Sequence, residues 1–330
     1  MPSLKSFHTF GLNAECHSLV EFDSPDAFLR AQSHSNRYWL LGEGSNTVFL
    51  DDFDGTVLIN RISGLEYTEY PAYHHLRVGA GENWHKLVAT CLQQGWWGLE
   101  NLALIPGSVG ASPIQNIGAY GLEVGQFIES VEYLDIASEK VCVLSADDCD
   151  FGYRDSVFKR EMAGKVLITH VNFCLPKDNH IECSYGELAK LSQPSPQAIF
   201  DEVIRVRRAK LPDPATLGNA GSFFKNPLVT VFHHASLREE YPQIPGFPVG
   251  ESHFKIPAAW LIDTLGYKGC VVGGARCHPT QPLVLTNLGT AKGGDVIKLA
   301  KEIMGAVEDK FAIQLEPEVR LVGNNGLINL

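Results

Sequence analysis

The sequence predicts an α+β fold, and three observations carry the prediction. In the first third, strand-like apolar runs alternate with short helical ones. The middle third alternates apolar and polar residues in the manner of antiparallel strands joined by turns. The last third holds a long amphipathic helix among short strand-like runs. At 330 residues and 45% hydrophobic content, the chain is long enough for two or three domains with a substantial core.

Each element follows from its local chemistry. "YWLLGEGSNTVFL" (38–50) reads as strand, glycine turn, strand, and "GTVLINRI" (55–62) and "HLRVGAGE" (75–82) as two more strands, with His74 and His75 at a hairpin turn. "NWHKLVATCLQQG" (83–95) puts Trp84, Leu87, Val88, Cys91 and Leu92 on one helical face and ends at Gly95, a C-cap. "ESVEYLDIASEKVCVLS" (129–145) and "KVLITHVNFCLP" (165–176) give antiparallel strands. In "SPQAIFDEVIRVRRAKLPDP" (195–214), Ser195 is the N-cap, Pro196 opens the helix and Pro212 stops it. A new domain starts between Pro212 and Gly221, with a Pro-rich, His-containing loop near 233–256. A short helix (258–269), a strand (282–287), the long helix with Val296, Leu299, Ala300, Ile303, Val307 and Phe311 on its apolar face, and a closing strand "EPEVRLVG" (316–323) complete the chain.

Composition excludes several function classes. A net charge of −11 argues against nucleic acid or an anionic membrane surface as the main partner, so an anionic substrate needs a local positive patch. No run of eighteen apolar residues occurs and the start lacks a signal-peptide pattern, which predicts a cytoplasmic protein. The eight scattered cysteines show no C-x-x-C and are expected as buried reduced thiols. The twelve histidines show no H-E-x-x-H, so no metal site is expected.

The most unusual stretch is "NLALIPGSVGASPIQNIGAYG" (101–121), with four glycines, two prolines and no charge. That composition reads as a buried irregular loop, and a buried loop needs partners for its amides and carbonyls. A polar cofactor against Gly107, Ser108, Gly110, Ala111 and Ser112 is one such partner; a tightly packed structural turn is the other reading. "LGEGSNTVFL" (41–50) similarly suits either a phosphate nest or a plain hairpin turn. In "FGYRDSVFK" (151–159), Arg154 beside Asp155 is equally read as a structural ion pair. Ser222 in "GNAGSFFKNP" (218–227) is a hydroxyl in an apolar setting, either a capping serine or a chemical group. Strand alternation in 316–323 places Glu318 and Arg320 on one face, with an edge charge as the simpler account. Arg205, Arg207, Arg208 and Lys210 complement a helix C-terminus, with Lys210 set apart at the exit beside "LPDP".

Taken in order, "HTFG" (8–11), "LGEGSN", "GAGENWH", "GLENLALIPGSVGASPIQNIGAYG", "FGYRDS", "SYGEL", "KLPDP", "GNAGSFFKNP", "AAWLID", "GGA" and "LEPEVR" resemble the UDP-N-acetylenolpyruvoylglucosamine reductase family over nearly the whole chain. "SYGEL" with Tyr185 resembles the family's first type, in which a tyrosine loop folds over the substrate.

The resemblance implies an FAD-binding fold of the p-cresol methylhydroxylase and vanillyl-alcohol oxidase (PCMH/VAO) type over 1–190. It has two α+β subdomains meeting near 65–75 and the tyrosine loop near 180–190. A linking helix (191–214) and a C-terminal α+β substrate-binding domain (215–330) follow. FAD, held noncovalently, would lie against Gly42, Glu43, Gly44, Ser45 and Asn46, and against Pro106, Gly107, Ser108, Gly110, Ala111, Ser112, Gln115, Asn116, Gly118 and Ala119. NADPH would reduce it, and hydride would then pass from flavin N5 to C3 of the enolpyruvyl group of UDP-N-acetylglucosamine enolpyruvate, giving UDP-N-acetylmuramate for peptidoglycan. Arg154 and Glu318 would stabilise the enolate, Ser222 would protonate C2, and Tyr185, Lys210 and Asn226 would hold the UDP-sugar. A monomer is expected. An oxidase of the same flavin-binding superfamily and a catalytically silent FAD or sugar-nucleotide binder are the competing readings.

Overall fold

The computed structural model describes residues 1–178 and 181–330. The first elements are β1 (Cys16–Phe22), α1 (Pro25–Ser33), β2 (Tyr38–Leu41), β3 (Thr47–Phe49), β4 (Phe53–Asn60), β5 (Leu65–Glu69), β6 (Tyr73–Gly79) and α2 (Trp84–Gln94). Next come β7 (Gly118–Ala119), β8 (Leu122–Glu123), β9 (Ile128–Asp135), β10 (Lys140–Ser145), β11 (Val166–Pro176) and α3 (Pro196–Lys210). Then follow β12 (Asn219–Ser222), β13 (Leu228–Thr230), α4 (Val231–Glu240), β14 (Phe247–Val249), β15 (His253–Lys255) and α5 (Ala258–Thr264). The chain closes through β16 (Val271–Val272), β17 (Ala275–Cys277), β18 (Val284–Asn287), α6 (Gly293–Phe311), β19 (Arg320–Gly323) and β20 (Gly326–Ile328). This is the expected α+β fold.

The chain forms two compact units, neither continuous in sequence. One comprises Ser18–Glu43 and Gly55–Ala209; the other comprises Met1–His17, Gly44–Asp54 and Lys210–Leu330. The first is built on a five-stranded sheet in the order β10-β9-β11-β6-β5. Leu76, Val78, Val131, Val171 and Phe173 of that sheet pack with Trp84, Leu87, Val88 and Cys91 of α2, and Asn83 and Gly95 cap the helix at its two ends. A row of polar groups crosses the sheet: Arg77 on β6 donates to Glu132 on β9 and to Glu66 on β5, and Asn172 on β11 donates to Glu132. The second unit packs α5 and α6 with β12, β17, β18 and β19 around Phe223, Phe224, Leu299, Ile303 and Leu321. The apolar face of α6 is the predicted one.

Four expectations are corrected. His74 and His75 lie inside β6, not at its turn; the turn is formed by Tyr70 and Tyr73, whose rings stack. The stretch near 233–256 is not a loop but α4, capped by Thr230, and the sheet β13-β15-β14. His234 is its buried centre, stacked on Phe254 at 4.2 Å, and ring-on-ring packing carries no sequence period. The closing strand begins at Arg320, so Glu318 lies before it rather than sharing a strand face with Arg320. Only Cys16, Cys91, Cys149 and Cys277 are buried; Cys142, Cys174 and Cys183 are half-buried and Cys270 is exposed, all as free thiols.

Candidate active site

The charge-free stretch 101–121 is a largely buried irregular segment of the first unit, as its composition predicts. Much of its main chain is satisfied by the protein: Val109 and Gly110 donate to the carbonyls of Glu82 and Ala80, and the Gly107 carbonyl accepts from Trp84. Gly110 is required for space, since a Cβ there would lie 2.5 Å from that of Ala80. Gly107 is required for torsion, with φ +124. The Gly42–Glu43 turn lies alongside: a Cβ on Gly42 would sit 2.5 Å from Ser108 Oγ. Asn83 fastens the pair, bridging to Ser108 and donating to Glu43 Oε1 at 2.7 Å. Two glycine-bearing turns therefore pack closely side by side, an arrangement that fits the close backbone approach a dinucleotide cofactor needs.

Asn116 shapes this segment. Its Nδ2 donates to Glu123 and to the Gly152 carbonyl, and its Oδ1 accepts from Gly125 N–H. Gly118 and Ala119 form β7, and the Gly118 carbonyl accepts from Arg154 Nη2 at 2.9 Å. Pro106 and Ala111 are exposed, Gln115 half-buried and Ser112 buried with its hydroxyl on Val109.

Asp155 is taken by Arg160, while Gly152 and Asp155 exchange main-chain hydrogen bonds that clamp Arg154 at φ +53. A non-glycine residue held there costs about 1–2 kcal/mol, which the surrounding turn must sustain. Tyr185, 51% exposed, meets Tyr120 edge to face at 6.3 Å. His180, at the start of the expected tyrosine loop, lies outside the described residues.

In the second unit a short main-chain ladder makes the arrangement. Glu318 N–H donates to the Phe223 carbonyl, Lys225 N–H to that of Glu316, and Phe224 bridges Pro317. Ser222 and Glu318 are thereby carried on adjacent strands of chain. Gly221 enters with φ +71, braced by Asn219 Oδ1, and Ser222, half-buried, makes no cap or turn hydrogen bond among the described residues. Asn46 joins the same ladder: its Nδ2 donates to the Glu318 carbonyl and its own carbonyl accepts from Arg320 N–H. Thr9, of the "HTFG" stretch, donates to the carbonyls of Gly44 and Ser45, which explains why that motif accompanies the glycine turn. Lys225 is engaged by Glu316 at 2.7 Å. Asn226 Oδ1 accepts from Ala258 N–H at the start of α5, which leaves its NH₂ group as the donor toward any ligand. Lys210 is exposed at the end of α3.

Sequence reasoning did not single out Asn83, which joins the two glycine turns, Tyr120, which meets Tyr185, or Arg207, which lies within electrostatic reach of Arg154. Asn83 carried a signal, an asparagine opening a helix between two glycine turns. Arg207 was masked by the macrodipole account of its neighbours. Among the described residues no group of histidine, cysteine or carboxylate side chains could hold a metal, and no helix is long and apolar enough to cross a membrane.

Comparisons with known proteins agree with this layout. Residues 25–145 match an FAD-binding domain model, and residues 213–322 match the model of the UDP-N-acetylenolpyruvoylglucosamine reductase C-terminal domain. The chain is 49% identical to UDP-N-acetylenolpyruvoylglucosamine reductase of Pseudoalteromonas atlantica, over 100% of this chain and 96% of that one. It is 45% identical to the reductase of Escherichia coli O157:H7, over 99% and 97%. A crystal structure of the Thermus caldophilus reductase superposes with TM-score 0.66 at 25% identity, over 96% of each chain. With the fold, the cofactor-type glycine turns and full-length identities of this size in agreement, the chain belongs to the UDP-N-acetylenolpyruvoylglucosamine reductase family, FAD-dependent oxidoreductases of peptidoglycan synthesis.

Proposed function

We propose that the protein reduces UDP-N-acetylglucosamine enolpyruvate to UDP-N-acetylmuramate with NADPH as electron donor, acting as a cytoplasmic monomer. The observation that carries the mechanism is the ladder joining residues 223–225 to 316–318, which sets Ser222 and Glu318 on neighbouring strands. FAD, held noncovalently by the 42–46 and 106–119 turns, supplies when bound the hydride that reaches C3 of the enolpyruvyl group. Negative charge then appears at C2 and is conjugated into the carboxylate. The guanidinium of Arg154, held in its clamped turn, stabilises that charge, and Glu318 assists. Ser222 Oγ gives its proton to C2, closing the reaction. Tyr185, Lys210 and the NH₂ of Asn226 hold the UDP-sugar diphosphate, Tyr185 as the lid of a first-type enzyme. The functional division is read as 1–190 for cofactor, 191–214 as link and 215–330 for substrate. No residue is assigned to a covalent flavin bond; His85 is engaged by Leu104 N–H and stacked on Phe200.

The test is anaerobic. NADPH should bleach the flavin of the purified protein, and UDP-N-acetylglucosamine enolpyruvate should restore its colour while oxygen-free buffer does not. Bleaching without restoration by the enolpyruvyl substrate would overturn the reading, and flavin that stays with acid-precipitated chain would overturn noncovalent binding.

A further inference from the structure

One cation of the first unit is left unused by this mechanism. Arg207 lies on α3 between the buried Val206 and the solvent face, four residues after buried Val203. Its Nε is shielded from solvent and has no hydrogen-bond partner among the described residues. Two residues earlier on the same helix, Arg205 shows the ordinary arrangement, with a two-pronged bond to Glu202 at 2.7 and 2.6 Å in the exposed layer. Arg207 has no such carboxylate among the described residues.

Its surroundings are specific. Burial pushes the Arg207 guanidinium below its usual range, Tyr120 opposes that and nearby Arg154 adds to it, so both side chains lie within electrostatic reach. Arg154 is itself fastened to the Gly118 carbonyl, two residues before Tyr120. Tyr120 sits at φ +49, uncommon for an aromatic residue, and its ring meets Tyr185 edge to face. Burial also pushes the Tyr120 hydroxyl up, keeping it a proton-bearing donor. Two arginines and a strained tyrosine therefore converge where like charges repel and a shielded donor lacks an acceptor. Such an arrangement costs stability unless an anion completes it.

We propose that Arg207, together with the Tyr120 hydroxyl, binds an oxyanion of the sugar-nucleotide substrate beside Arg154. The proposal rests on the reductase reading above and adds a specificity-determining pair to it. Carboxylate and phosphate oxygens share the required chemistry, and the planar fork of a guanidinium suits both. The source is the enolpyruvyl carboxylate or the diphosphate, and the two are separable by ligand.

The experiment uses full-length, FAD-loaded protein and reads dissociation constants from the change in oxidised-flavin absorbance, with no turnover needed. The ligands are UDP, UDP-N-acetylglucosamine and its enolpyruvyl ether. Arg207→Gln should weaken the enolpyruvyl ligand by about 10- to 100-fold, the range for losing a hydrogen bond to a charged group, and Arg207→Lys should recover part of the loss. Flavin content and the rate of reduction by NADPH should stay near wild type. Equal weakening of UDP assigns the diphosphate; unchanged UDP with a weakened enolpyruvyl ligand assigns the carboxylate. Unchanged constants for all three ligands overturn the proposal, as does loss of flavin in both Arg207 variants, which would place the side chain in the cofactor site. Should Arg207→Gln not fold, Arg207→Lys and Tyr120→Phe decide: enolpyruvyl binding weakened with flavin retained supports the proposal, and unchanged binding overturns it. Wild-type protein that fails to recognise the enolpyruvyl ligand at all would instead count against the reductase reading.

Discussion

The segments around Gly110 in the first unit and around Gly221 in the second are both glycine-rich, yet glycine serves opposite needs in them. At Gly110 a side chain has no room, because Ala80 occupies the position a Cβ would take. At Gly221 the space is open for 4 Å, and the backbone torsion is what demands glycine. The contrast extends to function. In the proposed mechanism the first segment presents main chain to a cofactor, so its chemistry is one of shape and amide direction. The second aims a side chain, Ser222, and depends on a distant strand of chain to place Glu318 beside it. The packing that demands Gly110 lies within the first unit, whereas the ladder beside Ser222 joins stretches about a hundred residues apart.

The sharpest way to test that contrast is to remove the hydroxyl. Ser222→Ala should slow reoxidation of the reduced enzyme by enolpyruvyl substrate by about 10²- to 10⁴-fold, the usual loss with a general acid, while reduction by NADPH survives. Stopped-flow traces with wild-type reoxidation would make Ser222 a structural residue. Next in size, Phe224→Ala removes a fully buried ring from the ladder that bridges Pro317, at a cost of about 3–5 kcal/mol. Denaturant unfolding should show that loss, with reoxidation impaired and flavin content kept; a variant that loses flavin but not reoxidation competence would break the division of labour. Gly110→Val should cost about 1–3 kcal/mol by overpacking against Ala80 and lower flavin occupancy with it. Gly221→Ala should cost only the torsional strain, about 1–2 kcal/mol, with flavin content unchanged, so equal behaviour of the two glycine variants would erase the distinction.

The smallest effect is present at neutral pH and fades in acid. The Arg77 hydrogen bonds hold Glu132 below the usual carboxylate range. A carboxyl whose folded pKa is depressed stabilises the fold fully above its unfolded value, about 4.3, and loses that contribution as pH falls through the folded pKa. Arg77→Met should therefore lower stability at neutral pH, and the gap to wild type should narrow as pH drops below about 4. A gap that stays constant across this range would mean that the pair contributes through packing alone.

Most helices were legible because their signals are local. Ser195 and Pro196 open α3, Asn83 and Gly95 bound α2, and the apolar stripe of α6 needs no knowledge of its partners. The buried loop 101–121 was legible because absence of charge with abundant glycine has few physical outcomes. What local signals could not supply was pairing across the chain. Glu318 was expected to share a strand face with Arg320, but its N–H is claimed by Phe223 and the strand starts two residues later. The helix and sheet at 231–255 were hidden because His234 and Phe254 pack as rings rather than as a periodic stripe. Arg207 resembled a helix-terminal cation, and only its burial separates it from Arg205. The ordered motifs carried the family; the geometry that makes them act together came from contacts between residues far apart in sequence.

Asn46 has a consequence for biosynthesis. Its side chain bonds a carbonyl 272 positions away, and the strand beginning at the next residue, Thr47, pairs in parallel with Arg320–Val322, so β3 waits for its partner strand until residue 322 has been made. The unit holding Gly42 and Gly110 is complete once Ala209 has been made. A nascent chain arrested just beyond α3 would therefore have the residues of its five-stranded sheet in hand while β3 still lacks its partner strand, an exposed edge open to aggregation or chaperone capture. Domains fold as they emerge, so the order of synthesis runs from cofactor unit to catalytic ladder.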